Sequence, residues 1–433
     1  MSSVRKISGN VAWLAADRLG RLVLSALSWI VVIRYLGPAA YGEFSYIYAT
    51  YLLFVPVVTF GLDTVVVRQI VRRPDQRAAI LGAALALRLS IAVVSWIALV
   101  GWVQLSIAEP GAWIVAAVLG LGLVGTAFDV VDLDFQTRIA SRWTVLAKAV
   151  PFFMGVALRI GVVVAGGGFV ALAASVTLES LLNIVGLAVV AGRQGLGLRG
   201  YRFDLAVARQ LAREGLPFFV GGMAVVVYMR IDQVMLLHLN GTTELGLYAA
   251  AARLSEFFNF APMVLVASAA PVLHQLREQD RVQFAQRLGE LLGGLVTVGV
   301  GIALVLSLGA PLIVPLLLGD RYAASVPILA IHVWSLVFVF AGVGQSVWDT
   351  AEGQGNWMVV RTVLGAVTNV GLNLWLLPIY GGIGAAIATL ISYALSAWAG
   401  NLLGSATRPM FWLQLRSPLL FLTALGRRYV RAL

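Results

Sequence analysis

Long apolar runs separated by short polar segments make up most of this chain. A helix needs about 20 apolar residues to cross a bilayer, and twelve runs of about that length follow one another. We expect each run to be helical, because an open sheet edge leaves backbone groups unsatisfied in lipid. The predicted spans are 11–33, 43–62, 80–103, 112–131, 146–166, 169–191, 216–238, 247–271, 291–313, 325–348, 357–377 and 382–404.

The composition agrees with a polytopic membrane protein. Of the 433 residues, 60% are hydrophobic and 12% are charged, whereas a soluble protein has about 25% charged residues. The segments between predicted spans are too short for a catalytic domain, so we do not expect an enzyme. The chain has no cysteine, which excludes disulfides and thiolate metal sites. The run 11–33 contains three charged residues and no small-residue cleavage site, so we interpret it as a span and not as a signal peptide.

Basic residues between the spans are distributed unequally. Twenty-two arginines and lysines fall on one side of the predicted spans, and only Arg34 and Arg321 fall on the other. Cytoplasmic loops carry such an excess, so both termini are predicted to be cytoplasmic. The net charge of +11 then fits anionic lipid headgroups, and no nucleic acid is expected as a partner. The tail 405–433 mixes arginines with Phe411, Trp412 and Leu415, which predicts an interfacial helix, with a thirteenth span as the alternative.

The sequence indicates an internal duplication. Leu36–Gly42 resembles Asn240–Gly246 at an offset of 204 residues, and each segment joins the first two spans of one half. Pro56 and Pro262 lie at a similar offset. Six spans per half give both halves the same orientation, which predicts two six-helix lobes with a pseudo-two-fold axis along the membrane normal. The predicted divisions are a lobe at 1–192, a basic linker at 193–215, a lobe at 216–404 and the amphipathic tail at 405–433.

Arginines inside the predicted spans are the most informative polar residues. A guanidinium does not shed its charge, and placing it at the centre of a bilayer costs about 2.5–3.5 kcal/mol on insertion scales. The arginines are therefore expected to line an interior that is wet or holds an anion. Arginine suits phosphate because its planar fork binds two oxygens. The predicted anion-binding residues are Arg18, Arg21, Arg88, Arg159, Arg230 and Arg253.

Four acidic residues in the spans have two interpretations. Asp17, Glu179, Asp232 and Glu256 leave the six arginines with a surplus of two positive charges. In the first interpretation every acid pairs with an arginine and joins helices. In the second, Asp232 and Glu256 bind a coupling ion, H⁺ or Na⁺, and no other cofactor or metal is expected.

Amides extend the predicted polar interior. Asn183 lies one turn after Glu179, and Asn369 and Asn373 are one turn apart in the eleventh predicted span. We expect all three to line the cavity. The three histidines are scattered along the chain and are expected to be loop or helix-end residues.

An ordered set of motifs over nearly the whole chain resembles the polysaccharide transporter family, the Wzx-type oligosaccharide flippases of the multidrug/oligosaccharidyl-lipid/polysaccharide exporter superfamily. The motifs are Tyr35–Glu43, Phe60–Arg68, Met229–Leu236, Gly246–Glu256 and Gly381–Thr389. The resemblance implies two six-helix lobes that work by alternating access. It supports substrate roles for the basic span residues and a functional role for Asp232.

The implied function is flipping of an undecaprenyl-pyrophosphate-linked oligosaccharide, from the cytoplasmic to the periplasmic leaflet of the bacterial inner membrane. Such transport serves O-antigen, capsule or exopolysaccharide assembly. Membrane lipids, a polysaccharide polymerase and a chain-length regulator are the expected partners, and the chain is expected to be a monomer. One alternative is a cation-coupled drug or small-solute antiporter. Another is a lipid II-type flippase, although that branch usually has fourteen spans. A third is a membrane polymerase or ligase, which would usually need a sizeable external loop.

Overall fold

The computed structural model describes the backbone of residues 2–107, 109–138, 141–194 and 200–432, and side chains in 20–107, 109–138, 143–194 and 200–425. These residues form helices and no β-strand, which confirms the predicted all-α class. The helices are α1 (Ser2–Thr59), α2 (Leu62–Arg72), α3 (Arg77–Ser106), α4 (Ala112–Ala127), α5 (Val130–Thr137), α6 (Ser141–Val164), α7 (Phe169–Arg193), α8 (Leu205–Glu256), α9 (Phe260–Gln279), α10 (Arg281–Leu318), α11 (Ser325–His332), α12 (Ser335–Ala351), α13 (Gly355–Ala397) and α14 (Arg408–Ala432).

Nine helical runs in the described part of the chain are long and apolar enough to cross a membrane, so the protein is a multi-pass membrane protein. Three of them, Gly20–Arg72, Leu205–Gln279 and Gly355–Leu402, contain 53, 75 and 48 residues. One crossing needs about 20. Glycines with positive φ interrupt the helical backbone inside these three runs, at positions 37, 241 and 381.

Two predicted spans are interrupted away from their ends in the structure. Span 247–271 is divided by a 3₁₀ turn at Phe257–Asn259. Pro262 follows this turn, and in a continuous α-helix its ring would clash with the carbonyl of Phe258. Span 325–348 is divided between α11 and α12 by a turn at Val333 and Trp334. Val333 N still donates to Leu329 O at 3.0 Å, whereas Trp334 N donates to Ile331 O at 3.2 Å, which tightens the backbone there.

The described chain divides into two compact units. The N-terminal unit comprises Val23–Tyr35 and Phe44–Arg230, and the C-terminal unit comprises Leu36–Glu43 and Ile231–Leu433 together with the described start of the chain to Leu22. The core of the N-terminal unit includes Leu62, Leu81 and Leu211, from α2, α3 and α8. The core of the C-terminal unit joins α10, α12 and α14 through residues such as Leu292, Phe340 and Met410.

The two repeated segments have matching backbone geometry. Gly37 has φ 74° and ψ 171°, and Gly241 has φ 85° and ψ 179°, a region that only glycine adopts readily. A Cβ on Gly42 would collide with the carbonyl of Thr242, and a Cβ on Gly246 would collide with that of Pro38. Thr242 is the equivalent of Pro38 in the repeat, so the contact between the two repeated segments is reciprocal.

The tail helix α14 packs along the first part of α10. Met410, Gln414 and Ser417 are buried on one face, and a Cβ on Gly293 of α10 would collide with the Ser417 carbonyl. Trp412 and Leu419 are exposed on the other face. One face of the helix therefore packs within the C-terminal unit, and the amphipathic character and the place at the membrane surface stay predictions.

Candidate functional site

Arg88 is the most deeply buried of the predicted arginines whose side chains the structure describes. It lies in α3 with none of its side chain exposed, and its NH2 is 2.8 Å from Oδ1 of Asp63. Asp63 is in the first turn of α2, after the turn at Phe60 and Gly61, and its side chain is 56% exposed. Nε and NH1 of Arg88 have no hydrogen-bond partner among the described residues. Arg88 therefore holds a full charge and spare donors inside the protein.

Arg159 and Glu179 form an ion pair between α6 and α7. NH1 of Arg159 is 2.9 Å from Oε2 of Glu179, and the guanidinium carbon is 5.7 Å from the ring centroid of Trp29. Both contacts stabilise a cation in a dry environment. Nε of Arg159 and Oδ1 of Asn183, one turn after Glu179, are buried without a partner in the described chain. This pair matches the interpretation in which an acid holds an arginine between helices.

Asp232 is the centre of a buried polar group in the C-terminal unit. It is 3% exposed and accepts hydrogen bonds from the Tyr248 hydroxyl and, at 2.7 Å, from the Gln233 backbone N–H. Thr389 Oγ1 is 3.4 Å from its Oδ2. The sequence did not predict that Tyr248 and Thr389 contact Asp232. Thr389 lies 157 positions away on α13, and no spacing rule connects it to α8.

His332 adds an imidazole next to the same tyrosine. Its ring centroid is 5.8 Å from that of Tyr248, in an edge-on arrangement, and its Nδ1 is 2.6 Å from Ser255 Oγ. The interpretation of His332 as a helix-end residue is correct, since it ends α11. That interpretation did not anticipate its burial.

Asn369 and Asn373 are both fully buried in α13. Asn373 Nδ2 donates to Asn369 Oδ1 at 2.9 Å. Asn369 Nδ2 and Asn373 Oδ1 have no hydrogen-bond partner among the described residues. The pair therefore presents one spare donor and one spare acceptor, which suits a polar ligand or water.

The contacts of the other predicted site residues indicate no particular role. Arg21, Arg230, Arg253 and Glu256 are partly buried, and each has at least one interaction. Asp17 and Arg18 lie outside the residues whose side chains the structure describes. The proposed roles of these six residues stay predictions.

The charge balance predicted from the spans needs a correction. Asp63 is not among the four predicted acids, yet its Oδ1 pairs with Arg88, so this acid compensates one of the predicted arginines. Arg361 is one of the twenty-two basic residues predicted to lie on the cytoplasmic side, yet it is 4% exposed and its NH2 is 2.6 Å from Asp349 Oδ2. A charge near a span end turns inward when a buried acid on another helix pairs with it.

The fold is similar to that of solved membrane proteins. The chain superimposes on a solved structure described as "Lipid II flippase MurJ, inward closed conformation" with a TM-score of 0.74, covering 96% of this chain and 93% of that one. The sequence identity is 14%, so this likeness concerns the fold alone.

Family membership follows from the sequence comparison. The chain belongs to the family described as "Polysaccharide biosynthesis protein", whose model matches residues 7–277. This result confirms the family resemblance of the sequence motifs.

Two relatives extend the comparison. The chain is 23% identical over 335 residues to the "Putative O-antigen transporter" of Escherichia coli strain K12, covering 74% of this chain and 78% of the relative. It is 30% identical over 180 residues to the "Probable flippase AglR" of Haloferax volcanii. That second match spans 39% of this chain and 36% of the relative.

Proposed function

We propose that this protein is a flippase for a lipid-linked oligosaccharide in the assembly of a surface polysaccharide. The observation that carries the proposal is the likeness, along 74% of the chain, to the relative described as "Putative O-antigen transporter". The direction of transport is from the cytoplasmic to the periplasmic leaflet of the inner membrane, and the lipid carrier is undecaprenyl diphosphate. A transport role, and not catalysis, accounts for a chain built almost entirely of membrane-length helices.

The proposed architecture has twelve crossings in two six-helix lobes, 1–192 and 216–404, that alternate access to the two leaflets. The long runs interrupted at positions 37, 241 and 381 support this number, since each is long enough for two crossings. The reciprocal contact of Gly42 and Gly246 supports the symmetry. Both termini are cytoplasmic in this proposal, and α14 lies at the cytoplasmic surface.

The diphosphate of the substrate binds arginine in this proposal. Arg88 and Arg159 support it because both are buried and keep donor atoms without partners in the described chain. Charge-assisted hydrogen bonds from arginine to phosphate oxygens are short and strong. Arg18, Arg21, Arg230 and Arg253 are the further proposed contacts, and Asn183, Asn369 and Asn373 are the proposed polar lining.

Asp232 is the proposed coupling residue for H⁺ or Na⁺. Its burial next to the hydroxyl groups of Tyr248 and Thr389 supports this role. A carboxyl group can carry a proton, and its oxygens suit a hard cation. Glu256 is a second proposed coupling residue. The polymerase, the chain-length regulator and the monomeric state remain part of the proposal.

Reconstitution tests the function directly. The purified chain would be placed in liposomes with a fluorescent, short-chain polyprenyl diphosphate that carries a disaccharide, and a membrane-impermeant quencher would report its transfer between leaflets. We expect faster transfer than in protein-free liposomes. The matched control is the same liposome with the Arg88→Met variant, which we expect to be slow.

Two results would contradict the proposal. Transfer at the protein-free rate, with a correctly folded protein, would reject flipping of this substrate class. Transport of lipophilic cations in the same liposomes, without transfer of the disaccharide lipid, would favour the drug-antiporter alternative.

A further inference from the structure

A cavity of about 540 Å³ lies in the N-terminal unit, among α2, α5 and α6. Sites for small molecules have volumes of roughly 300–1,000 Å³, so the cavity is large enough for a small ligand. Five charged side chains line it: Asp63, Arg68, Asp129, Asp132 and Lys148. None of them is a proposed contact of the substrate diphosphate.

Lys148 is held between two carboxylates of this cavity. Its Nζ is 2.8 Å from Asp129 Oδ1 and 3.6 Å from Asp132 Oδ2. Thr144 donates a further hydrogen bond to Asp132 Oδ1. The positive charge of Lys148 is therefore already compensated within the cavity.

The second cation that lines the cavity is also paired. Arg68 NH2 is 2.7 Å from Glu214 Oε2. Three acids and two bases line the cavity, so it has no surplus of positive charge. This net negative lining repels a diphosphate, which disfavours an anionic ligand.

The remaining hydrogen-bonding groups suit a neutral ligand that both donates and accepts. Among the described residues, Asp63 and Asp129 use Oδ1 in their ion pairs, and both side chains are well exposed, at 56% and 41%. Their Oδ2 atoms can accept from hydroxyl groups. The Gln136 amide and the Thr64 hydroxyl also line the cavity, and each can donate and accept.

We infer that this cavity binds the neutral carbohydrate part of the substrate, and not its diphosphate. Sugar hydroxyls each offer one donor and two acceptor lone pairs, which matches a wall of carboxylates, amide and hydroxyl. The inference rests on the proposed function, because that function supplies the sugar as part of the transported lipid. The cavity itself can be tested with free oligosaccharides.

The sequence provides a specific chemical reporter, because Lys148 and Lys6 are its two lysines. The purified full-length chain would be acylated with and without N,N′-diacetylchitobiose or maltotriose, and mass spectrometry would give the rate at each lysine. We expect sugar to slow acylation of Lys148, by about tenfold at ten times the half-saturating concentration. The rate at Lys6 should not change, and farnesyl diphosphate should protect neither lysine.

Asp129→Asn tests whether the carboxylate contributes. We expect this variant to lose the protection by sugar, measured as the ratio of Lys148 rates with and without sugar in the same variant. Asp204→Asn is the matched control in the same unit. Asp204 caps the start of α8 through bonds from Ala206 N and Val207 N, and asparagine caps helices equally well.

Two outcomes overturn the carbohydrate assignment: no protection by either sugar, or protection by farnesyl diphosphate as strong as that by the sugars. The liposome assay separates this inference from the proposed function. Transfer of the disaccharide lipid without sugar protection of Lys148 rejects the cavity assignment alone. Sugar protection without transfer rejects the flippase function alone.

Discussion

Arg88 in the N-terminal unit and Arg361 in the C-terminal unit are both buried, yet their surroundings differ. Arg361 donates to Asp349 and Asn401, and the amides of Asn401, Gln345 and Gln414 are hydrogen bonded to one another. Arg88 donates to Asp63, whose side chain is more than half exposed. Two nitrogens of Arg88 have no partner among the described residues.

This difference separates a structural arginine from a candidate for substrate binding. A buried polar group is stable when its hydrogen bonds are satisfied, and an unsatisfied one costs about 1–3 kcal/mol. The network of Arg361 joins α12, α13 and α14, so it holds the tail helix in place. The spare donors of Arg88 have no such structural use, and a diphosphate would satisfy them.

Breaking the Arg361 network is expected to have the largest effect on stability. Arg361→Met would leave Asp349 as a buried acid without its countercharge, which typically costs about 3–5 kcal/mol. The measurement is the unfolding temperature of the purified protein in detergent. Arg361→Met with Asp349→Leu should recover much of the loss, and an unchanged unfolding temperature in the single variant would contradict the structural role.

Arg88→Met should show the opposite pattern, with activity lost and stability kept. The substitution removes unsatisfied buried donors, and Asp63 can be solvated by water once its partner is gone. A charge-assisted hydrogen bond contributes about 1.5–3 kcal/mol, so transfer of the disaccharide lipid should fall at least about tenfold. Arg287→Met, at an exposed arginine that pairs with Glu290, is the matched control and should transfer lipid normally. A large fall in the unfolding temperature of Arg88→Met would show that Arg88 has a structural role, as Arg361 does.

The sequence alone predicts the helices, the repeat and the contact within the local amide pair. It does not predict which side chains on different helices contact each other. Asn369 and Asn373 are one turn apart, so their contact follows from helix geometry. The Arg88–Asp63 pair depends on the turn at Phe60 and Gly61, where both residues have positive φ. Phe60 is an unusual residue for that conformation, so no pattern signals the turn.

Glu179→Gln should have an intermediate effect. Arg159 would lose its carboxylate partner at 2.9 Å but keep the ring of Trp29. We expect a loss of about 1–2 kcal/mol in the free energy of unfolding, less than for Arg361→Met. Glu179→Asp is the control, because it keeps the carboxylate and shortens the side chain. If Glu179→Gln transfers lipid normally, Arg159 is a structural residue like Arg361.

Glu352 and Arg277 should give the smallest effect, because their ion pair is bidentate but partly exposed to solvent. Hydrogen bonds from Arg277 hold the pKa of Glu352 below its usual value. A lowered pKa in the folded state stabilises the protein above the unfolded pKa, about 4.3, and the contribution is lost as pH falls through the folded pKa. Glu352→Gln should therefore lower the unfolding temperature slightly at about pH 7, and the difference from the unsubstituted protein should disappear once the pH is below the folded pKa of Glu352, which is lower than about 4.3. A difference at neutral pH as large as that of Arg361→Met would show that pairing, and not burial, decides how much these arginines stabilise the fold.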